Sequence, residues 1–385
     1  MPSPRRRKLF ALASLVGAAL LGLLLAELAL RAVAEERYHV WHPGEERLFH
    51  PDPEAIPGVS GPGLFRINEQ GMRGDPFGPG DTLRILAAGG STTEALYLDE
   101  AEAWPRLLQG ALNRRLGAGA RVRVGNVGRS GHTTRHHRLQ AAQLLAQHED
   151  VDLMLVLTGV NDLLRRLARD GEWEPTEPER LVREAFAVHP GWDSRFPFYK
   201  RTELWRKARA LLARPDDSGV AQDDSGQVFY ELRRYRREAR RIRLELPDLG
   251  RALDEYEENL RAIAASARQH GVVPVLVTQP ALWREGLPDE LRDRLWAGGV
   301  GSYFGGEEAD YYSVEALAEA MARYNRRLLD SCAALELACI DLASALPREA
   351  DLFYDDVHFN EAGSRAVADY FAEELSAILT GRSSD

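Results

Sequence analysis

The chain has 385 residues, of which 44% are hydrophobic and 28% are charged, and 59 acidic side chains outnumber 49 basic ones. This length is ample for one large or two modest domains with a real core, and the composition is that of a globular protein rather than a disordered, collagen-like or disulfide-scaffold one. An acidic chain is a poor candidate for nucleic-acid binding, because that binding depends on basic surface to displace counterions.

Residues 1–34 predict a basic cytoplasmic tip followed by a transmembrane signal anchor. Arg5 to Lys8 precede residues 9–26, which carry no charge and a single polar side chain, Ser14. At about 1.5 Å per residue this apolar run approaches the roughly 30 Å of hydrocarbon in a bilayer. Because basic flanks stay in the cytoplasm, everything after residue 34 is expected outside the membrane. A cleaved signal peptide is the alternative, since residues 32–34 (Ala-Val-Ala) fit the small-residue rule for cleavage.

Residues 35–80 are rich in Pro, Gly and charge and predict a stalk and lead-in segment before a domain at 81–380. Within that domain, short apolar runs alternate with amphipathic helices, which predicts βαβ units and a parallel sheet covered on both faces. The predicted strands are Leu83–Ala88, Val122–Gly125, Val151–Thr158, Val272–Thr278 and Cys339–Leu342. The predicted helices are Ala103–Leu116, Thr134–Gln147, Tyr256–His270 and Val314–Leu337.

Two insertions interrupt this pattern, at residues 163–250 and 281–313, and both are rich in aromatic residues. Insertions of this length are usually lids or binding loops. The first contains an arginine run over 233–243, interleaved with glutamates, which predicts a solvated basic helix. Binding of an anionic polysaccharide or lipid headgroup is the alternative for that run.

Polar residues follow the predicted strands at the edge where ligands bind in an open parallel sheet. Ser91 follows the first strand, Gly131 the second and Asn161 the third. Asp355 and His358 come after the fifth. We therefore expect these residues to share one edge of the sheet.

Their chemistry predicts a serine nucleophile. A serine hydroxyl needs a neighbouring base, and His358 is able to serve because an imidazole titrates near pH ~6.5. Asp355 lies three residues earlier and would hold the imidazole tautomer, with Asp356 as the alternative acid. The backbone N–H groups of Ser91 and Gly131 and the side-chain amide of Asn161 would form an oxyanion hole. Gly131 could instead be only a turn glycine, and Asn161 only a helix N-cap.

These segments resemble the SGNH/GDSL hydrolase superfamily: Ser91 in Gly-Gly-Ser-Thr-Thr, Gly131, Asn161 in Gly-Val-Asn-Asp, and Asp355 with His358 in Asp-x-x-His. The resemblance spans roughly residues 82–375, with the middle insertions unmatched. It implies a three-layer α/β/α, flavodoxin-like fold with a five-stranded parallel sheet and helical insertions, and no cofactor. The residue before the nucleophile departs from the family, because a glycine stands where Asp is usual, and the family's shared leucine is not identifiable.

Several further residues are candidates for lesser roles. His132, which adjoins Gly131, is a candidate for substrate contact together with Thr92 and Asp162. Three histidines at 132, 136 and 137 have no further ligands at metal-binding spacing, so we expect surface or cleft-lining histidines and no metal. Cys332 and Cys339 lie outside the reducing cytoplasm and form a disulfide if their Cα atoms approach within about 7 Å.

Together with the predicted N-terminal anchor, the resemblance implies a membrane-anchored, extracytoplasmic bacterial serine esterase, periplasmic or at the cell surface. It would hydrolyse O-acyl esters, with acetyl favoured, of a cell-envelope carbohydrate or lipid through an acyl-enzyme on Ser91. An O-acetyltransferase that acts on a polysaccharide would use the same triad, and a non-catalytic binding protein on a hydrolase fold is the third possibility. The expected partners are thus an ester substrate and the membrane, without nucleic acid.

Overall fold

The computed structural model describes residues 4–33, 37–170, 177–189 and 225–381, together with a few residues between 199 and 208. The chain divides into two units: residues 1–37 with 189–221, and residues 38–188 with 222–385. The first unit contains helix α1, Pro4–Val33, whose stretch Ala13–Arg31 has a mean hydropathy of 2.1 and is long and apolar enough to cross a bilayer. A membrane anchor and a signal sequence both fit this helix.

The second unit is built on a five-stranded parallel sheet. Its strands in spatial order are β4 (Val122–Asn126), β3 (Leu83–Gly89), β5 (Leu153–Leu157), β7 (Val273–Val277) and β9 (Ala338–Ile340). Each predicted core strand is present, with its ends moved by at most two residues. The same order, with the second strand outside the first, is that of flavodoxin-like folds. The strands in chain order are β1 Glu46–Phe49, β2 Gly63–Arg66, β3 Leu83–Gly89, β4 Val122–Asn126, β5 Leu153–Leu157, β6 Arg241–Arg243, β7 Val273–Val277, β8 Asp310–Tyr312 and β9 Ala338–Ile340.

Helices flank this sheet in two groups, which gives the three layers that the sequence predicts. Helix α3 (Trp104–Leu116) packs on α12 (Glu361–Leu379). Helix α8 (Gly250–Gln269) packs against both α4 (Thr134–Gln147) and α10 (Val314–Leu335). All five residues of the central strand β5 are buried, as expected for a strand covered on both faces. The helices after α1 are α2 Ser91–Glu94, α3 Trp104–Leu116, α4 Thr134–Gln147, α5 Val160–Ala168, α6 Pro178–Ala185, α7 Val228–Arg237, α8 Gly250–Gln269, α9 Asp289–Arg292, α10 Val314–Leu335, α11 Leu342–Ala345 and α12 Glu361–Leu379.

Residues 38–80 differ from the stalk that the sequence predicts, because they pack into the second unit. Strands β1 and β2 form an antiparallel hairpin, and Phe49 and Phe65 on it are buried in the core. Arg73 is also buried, and its guanidinium donates to four backbone carbonyls, two of them in Ala95 at 2.7 Å and Leu98 at 2.6 Å. This segment is therefore part of the folded unit rather than a spacer.

The arginine run at 233–243 is not one solvated helix. Helix α7 ends at Arg237, and the run continues into the short strand β6. Arg233 and Arg236 are 5% and 9% exposed and donate to backbone carbonyls, among them Tyr354 and Tyr312. The prediction of a solvated helix was wrong for these two arginines, because the carbonyls that accept from them belong to segments distant in sequence that pack against the helix.

Cys332 and Cys339 form the disulfide that the sequence allows. Cys332 lies in the last turn of α10 and Cys339 in β9, with a Cα–Cα distance of 6.3 Å. The bond ties the helix to the edge strand that follows it.

Candidate active site

The turn after strand β3 exposes Ser91 at the start of helix α2. The backbone of Gly90, the residue before it, is extended and caps that helix. A Cβ atom on Gly90 would lie 2.3 Å from Nδ2 of Asn161, so no side chain fits at position 90 unless Asn161 moves. In this chain the glycine therefore leaves room for the Asn161 amide.

Three side chains from the carboxyl edge of the sheet form a continuous hydrogen-bonded chain. Oγ of Ser91 lies 2.7 Å from Nε2 of His358, and Nδ1 of that ring lies 2.7 Å from Oδ2 of Asp355. The Asp355 side chain is fully buried, whereas the imidazole is 12% exposed. A hydroxyl, an imidazole and a carboxylate in this order are able to turn the hydroxyl into a nucleophile.

Asp355 is held by donors on both of its oxygens. Oδ1 accepts the backbone N–H groups of Val357 at 3.0 Å and His358 at 2.9 Å. Oδ2 accepts the indole N–H of Trp296 at 2.9 Å in addition to the imidazole. These four donors fix the carboxylate plane and compensate for its removal from water.

The carboxylate of Asp356 binds the second insertion and makes no hydrogen bond to the imidazole. Its Oδ1 accepts the indole N–H of Trp283 at 2.7 Å. Its Oδ2 accepts the backbone N–H groups of Trp296 at 2.7 Å and Ala297 at 3.2 Å. Of the two adjacent carboxylates that the sequence left open as the acid, Asp355 is the one in contact with the imidazole.

The pKa values of His358 and Asp355 move in opposite directions. Burial acts to lower the pKa of His358, but the charge of Asp355 and the hydrogen bond to it prevail and raise that pKa above 6.5. Burial acts to raise the pKa of Asp355, but the charge of His358 and the hydrogen bonds it accepts lower it overall. Asp355 therefore stays ionised over the range in which His358 titrates.

The candidate oxyanion donors lie beside the nucleophile. Asn161 is 3% exposed, and one N–H of its Nδ2 donates to the backbone oxygen of His132 at 2.8 Å, which leaves the second N–H beside Gly90. Gly131 has φ +75°, a conformation that favours glycine. Among the described residues, the backbone N–H groups of Ser91 and Gly131 have no hydrogen-bond partner. These three donors are thus candidates for an oxyanion hole, while the positive φ of Gly131 also fits a turn glycine.

Glu94, at the end of helix α2, fixes the loop that carries Gly131. Its side chain is buried and accepts the hydroxyl of Ser130, the residue before Gly131. Burial raises the pKa of Glu94, against the effect of that hydrogen bond and of the nearby Arg129. No sequence signal pointed to this residue.

Two of the predicted substrate contacts are bonded to protein groups instead. Thr92 is 3% exposed, and its hydroxyl donates to Oε1 of Gln279 at 3.2 Å. Asp162 accepts the backbone N–H of Thr134 at 3.1 Å and its hydroxyl at 2.5 Å, at the start of helix α4. Burial raises the pKa of Asp162 to about 6. Both side chains therefore have partners within the protein, and Asp162 also lines a cleft.

The three histidines near Gly131 are buried, so they are not surface side chains, while His136 lines a cleft with Asp162 and Glu184. His132 is 4% exposed, and its ring nitrogens bond to Glu184 and Gln140, each at 3.0 Å. Both of its ring nitrogens therefore have partners within the protein. His136 completes a capping box at the start of α4, and its ring stacks on that of His132 at 4.6 Å. Within the described part of the chain, no group of three potential metal ligands is present.

Two residues of the second insertion contact the candidate site, and the sequence analysis predicted no role for either in that site. Trp296 donates to Asp355, as described above, and the hydroxyl of Tyr303 donates to Oδ1 of Asn161 at 2.6 Å. The sequence placed both aromatics in a possible lid, but no spacing rule connects an insertion to particular residues of a strand edge.

A model of the GDSL-like lipase/acylhydrolase family matches residues 87–366 of this chain. Similar solved structures include LAE5, an alpha/beta hydrolase from the metagenome of Lake Arreo, Spain, at 15% identity over 77% of this chain and 97% of that one, with a TM-score of 0.42. The acetylxylan esterase Axe2 of Geobacillus stearothermophilus is 16% identical over 77% and 94%, with a TM-score of 0.39. TesA is 16% identical over 77% and 99%, with a TM-score of 0.41. No curated protein matches the sequence.

Proposed function

The chain belongs to the GDSL-like lipase/acylhydrolase family, and from that premise we propose that it is a serine esterase that cleaves O-acyl esters through an acyl-enzyme on Ser91. The observation that carries the proposal is the 2.7 Å contact between Oγ of Ser91 and Nε2 of His358, whose other nitrogen is bound by Asp355. No step of this reaction requires a cofactor.

In the first half-reaction, Nε2 of His358 takes the proton of Ser91 while Oγ attacks the ester carbonyl carbon. Asp355 stabilises the imidazolium that results. The N–H groups of Ser91 and Gly131 and the amide of Asn161 bind the tetrahedral oxyanion, and removal of one such donor typically costs about 10²–10³ in rate. The alcohol then leaves with the proton from Nε2, and the acyl group stays on Oγ.

In the second half-reaction, water attacks the acyl carbonyl and gives its proton to Nε2 of His358. The tetrahedral intermediate collapses, the carboxylic acid leaves, and Oγ of Ser91 regains its proton. The same three side chains thus act twice, with His358 alternating between base and acid.

The substrate that we propose is an O-acyl ester, with acetyl as the acyl group, on a carbohydrate or lipid of the cell envelope. Helix α1 supports a place at a membrane, with the catalytic unit on its extracytoplasmic side. Phe304 supports a sugar or lipid substrate, because its ring is 56% exposed and stacks on Trp296, the residue that contacts Asp355. Exposed aromatic rings of this kind commonly line binding sites.

The direct test follows hydrolysis of p-nitrophenyl acetate and longer esters by the full-length chain in detergent. Ser91→Ala should abolish turnover, and the matched control Ser344→Ala, at an exposed position of helix α11, should leave it intact. A fluorophosphonate probe should label the wild type and the control but not Ser91→Ala. Equal turnover by wild type and Ser91→Ala would refute the proposal.

Two other outcomes would replace the proposal. Labelling of Ser91 without hydrolysis, together with acyl transfer once an acceptor sugar is added, would identify an O-acetyltransferase. A folded wild-type protein that is neither labelled nor active would be a binding protein on a hydrolase fold.

A further inference from the structure

A loop of the second insertion is fastened firmly beside the candidate active site. We call residues 296–312 the aromatic loop, after its tryptophan, phenylalanine and tyrosines. Its two ends are joined by the hydrogen bond from Tyr312 N to Gly298 O, at 3.0 Å. The buried guanidinium of Arg236 donates to the carbonyl of Ala297 and, at 2.9 Å, to that of Tyr312. The base of the loop is therefore fixed to the body of the unit.

Tyr303 in this loop contacts the side chain that offers the oxyanion donor. Its hydroxyl donates to Oδ1 of Asn161 at 2.6 Å. Burial raises the pKa of Tyr303, so the hydroxyl keeps the proton that it donates. The ring is held by its neighbours, with Phe304 at 5.0 Å edge-on and Trp296 at 6.1 Å.

The hydrogen bonds at both ends of the Asn161 amide fix its orientation. Nδ2 donates to the carbonyl of His132 at 2.8 Å while Oδ1 accepts from Tyr303. A flipped amide would set its oxygen against the carbonyl oxygen of His132, with no hydrogen between them. The second N–H of Nδ2 is therefore directed at the nucleophile turn, where a Cβ on Gly90 would meet Nδ2 at 2.3 Å.

Trp296, at the start of the same loop, contacts the acid. Its indole N–H donates to Oδ2 of Asp355 at 2.9 Å, the same oxygen that accepts Nδ1 of His358. A hydrogen-bond donor on this oxygen stabilises its negative charge, so Asp355 raises the pKa of the imidazole less than it would without that donor. The loop thus touches both ends of the candidate machinery.

We propose that two residues of the aromatic loop act in the active site, Tyr303 as a positioning residue for Asn161 and Trp296 as a positioning residue for Asp355. The inference rests on the proposed function, because it assigns roles toward the residues of that site. Neither residue touches the reacting atoms, and each acts through a side chain that does. The chain thereby uses an insertion outside the core fold to set the geometry of its oxyanion donor.

A double-mutant cycle tests Tyr303 on the full-length protein with p-nitrophenyl acetate. Tyr303→Phe should lower kcat about tenfold, less than the loss of a whole oxyanion donor, with KM nearly unchanged. In an Asn161→Ala background the same change should alter kcat by less than about twofold, because the side chain it positions is gone. The matched control is Tyr311→Phe, which removes a hydroxyl of the same loop that bonds to the N–H of Gly306.

The pH profile tests Trp296. Trp296→Phe removes the donor on Asp355, so the acidic limb of kcat/KM should move to higher pH. The control Trp283→Phe removes an indole donor to Asp356 and should move that limb less than Trp296→Phe does, because Asp356, like Glu94, raises the pKa of His358 only through its charge and makes no hydrogen bond to the ring. A residue with only a structural role would lower the melting temperature without moving the limb.

The outcomes separate this inference from the proposed function. If Ser91→Ala keeps full turnover, the proposed function fails and the loop has no catalytic site to position. If Ser91→Ala is inactive but Tyr303→Phe lowers kcat equally in the wild-type and Asn161→Ala backgrounds, or not at all, the positioning role is wrong and the esterase stands. Unfolding curves of each variant show whether a rate loss comes from the fold, and Tyr311→Phe serves as the reference for a hydroxyl lost from the loop.

Discussion

The adjacent carboxylates Asp355 and Asp356 allow the same Asp-to-Asn substitution to be made at each position. At Asp355 it should lower the catalytic rate, and at Asp356 it should lower the stability of the fold. Asp355→Asn leaves a single acceptor oxygen where four donors converge: the imidazole, the indole of Trp296 and two backbone N–H groups. With the oxygen on the backbone pair, the new NH₂ group faces Nδ1 of His358. The imidazole would then carry its proton on Nε2, where it cannot accept the proton of Ser91.

The size of this effect follows from the tautomer. We expect kcat to fall by about 10⁴, the loss that a wrong imidazole tautomer produces in a Ser-His-Asp triad. At about 1.36 kcal/mol per factor of ten, this amounts to roughly 5.4 kcal/mol of transition-state stabilisation. Asp356→Asn should instead act on stability, since each hydrogen bond to a buried charged group contributes about 1.5–3 kcal/mol. Asp356→Asn keeps an oxygen for the two backbone N–H groups but loses the acceptor of the Trp283 indole, so we expect a loss of about 1.5–3 kcal/mol in the free energy of unfolding and less than about a tenfold loss in kcat.

The assay combines steady-state hydrolysis of p-nitrophenyl acetate with denaturant unfolding followed by tryptophan fluorescence. Both variants should be measured at a temperature at which unfolding curves show each protein fully folded. The reasoning would be refuted by a folded Asp356→Asn protein that has lost about 10⁴ in kcat while Asp355→Asn keeps most of its rate. That result would make Asp356 the acid.

Three further perturbations have defined outcomes. The value of kcat/KM should fall as pH drops through the pKa of His358, which lies above 6.5, because only the neutral imidazole accepts the proton of Ser91; a profile flat from about pH 5 to 8 would exclude that base. Gly90→Ala should reduce kcat at least about tenfold, since its Cβ would displace Nδ2 of Asn161, and an unchanged rate would show that this amide is not an oxyanion donor. Arg73→Met should lower the free energy of unfolding by about 3 kcal/mol or more, as measured with urea, because four backbone carbonyls lose their donor, two of them fully buried.

The core of the fold was predictable because parallel strands that are covered on both faces are almost entirely apolar. Strand β5 shows this best, with the sequence Leu-Met-Leu-Val-Leu and no exposed residue. The prediction of a stalk was wrong for residues 38–80 because their buried side chains are scattered among prolines, glycines and charged residues, so they form no continuous apolar run. Phe49 and Phe65 become core residues only when the hairpin packs against the rest of the unit, and no local sequence pattern predicts that packing.

The candidate site divides in the same way. The positions of Ser91, Asn161 and His358 follow from the rule that ligands bind at the carboxyl ends of parallel strands. The contacts of Trp296 and Tyr303 do not follow from any rule of spacing, because their partners lie 59 and 142 residues away along the chain. The buried Arg233 is a similar case, since one of its acceptors, the carbonyl of Tyr354, lies 121 residues away. Long-range partners of insertions are set by tertiary packing, which local sequence does not encode.

The Asp355-Asp356 pair links the chemistry of the site to the position of the aromatic loop. Asp355 binds the imidazole, and Asp356 binds the backbone of Trp296 and Ala297, where the loop begins. Lifting the loop at this base would leave a buried carboxylate short of its donors, at about 1.5–3 kcal/mol for each lost bond. Opening at the base would also remove Trp296 from Asp355 and thereby change the acid itself. A movement of the loop that keeps both carboxylates bonded therefore leaves its first residues in place.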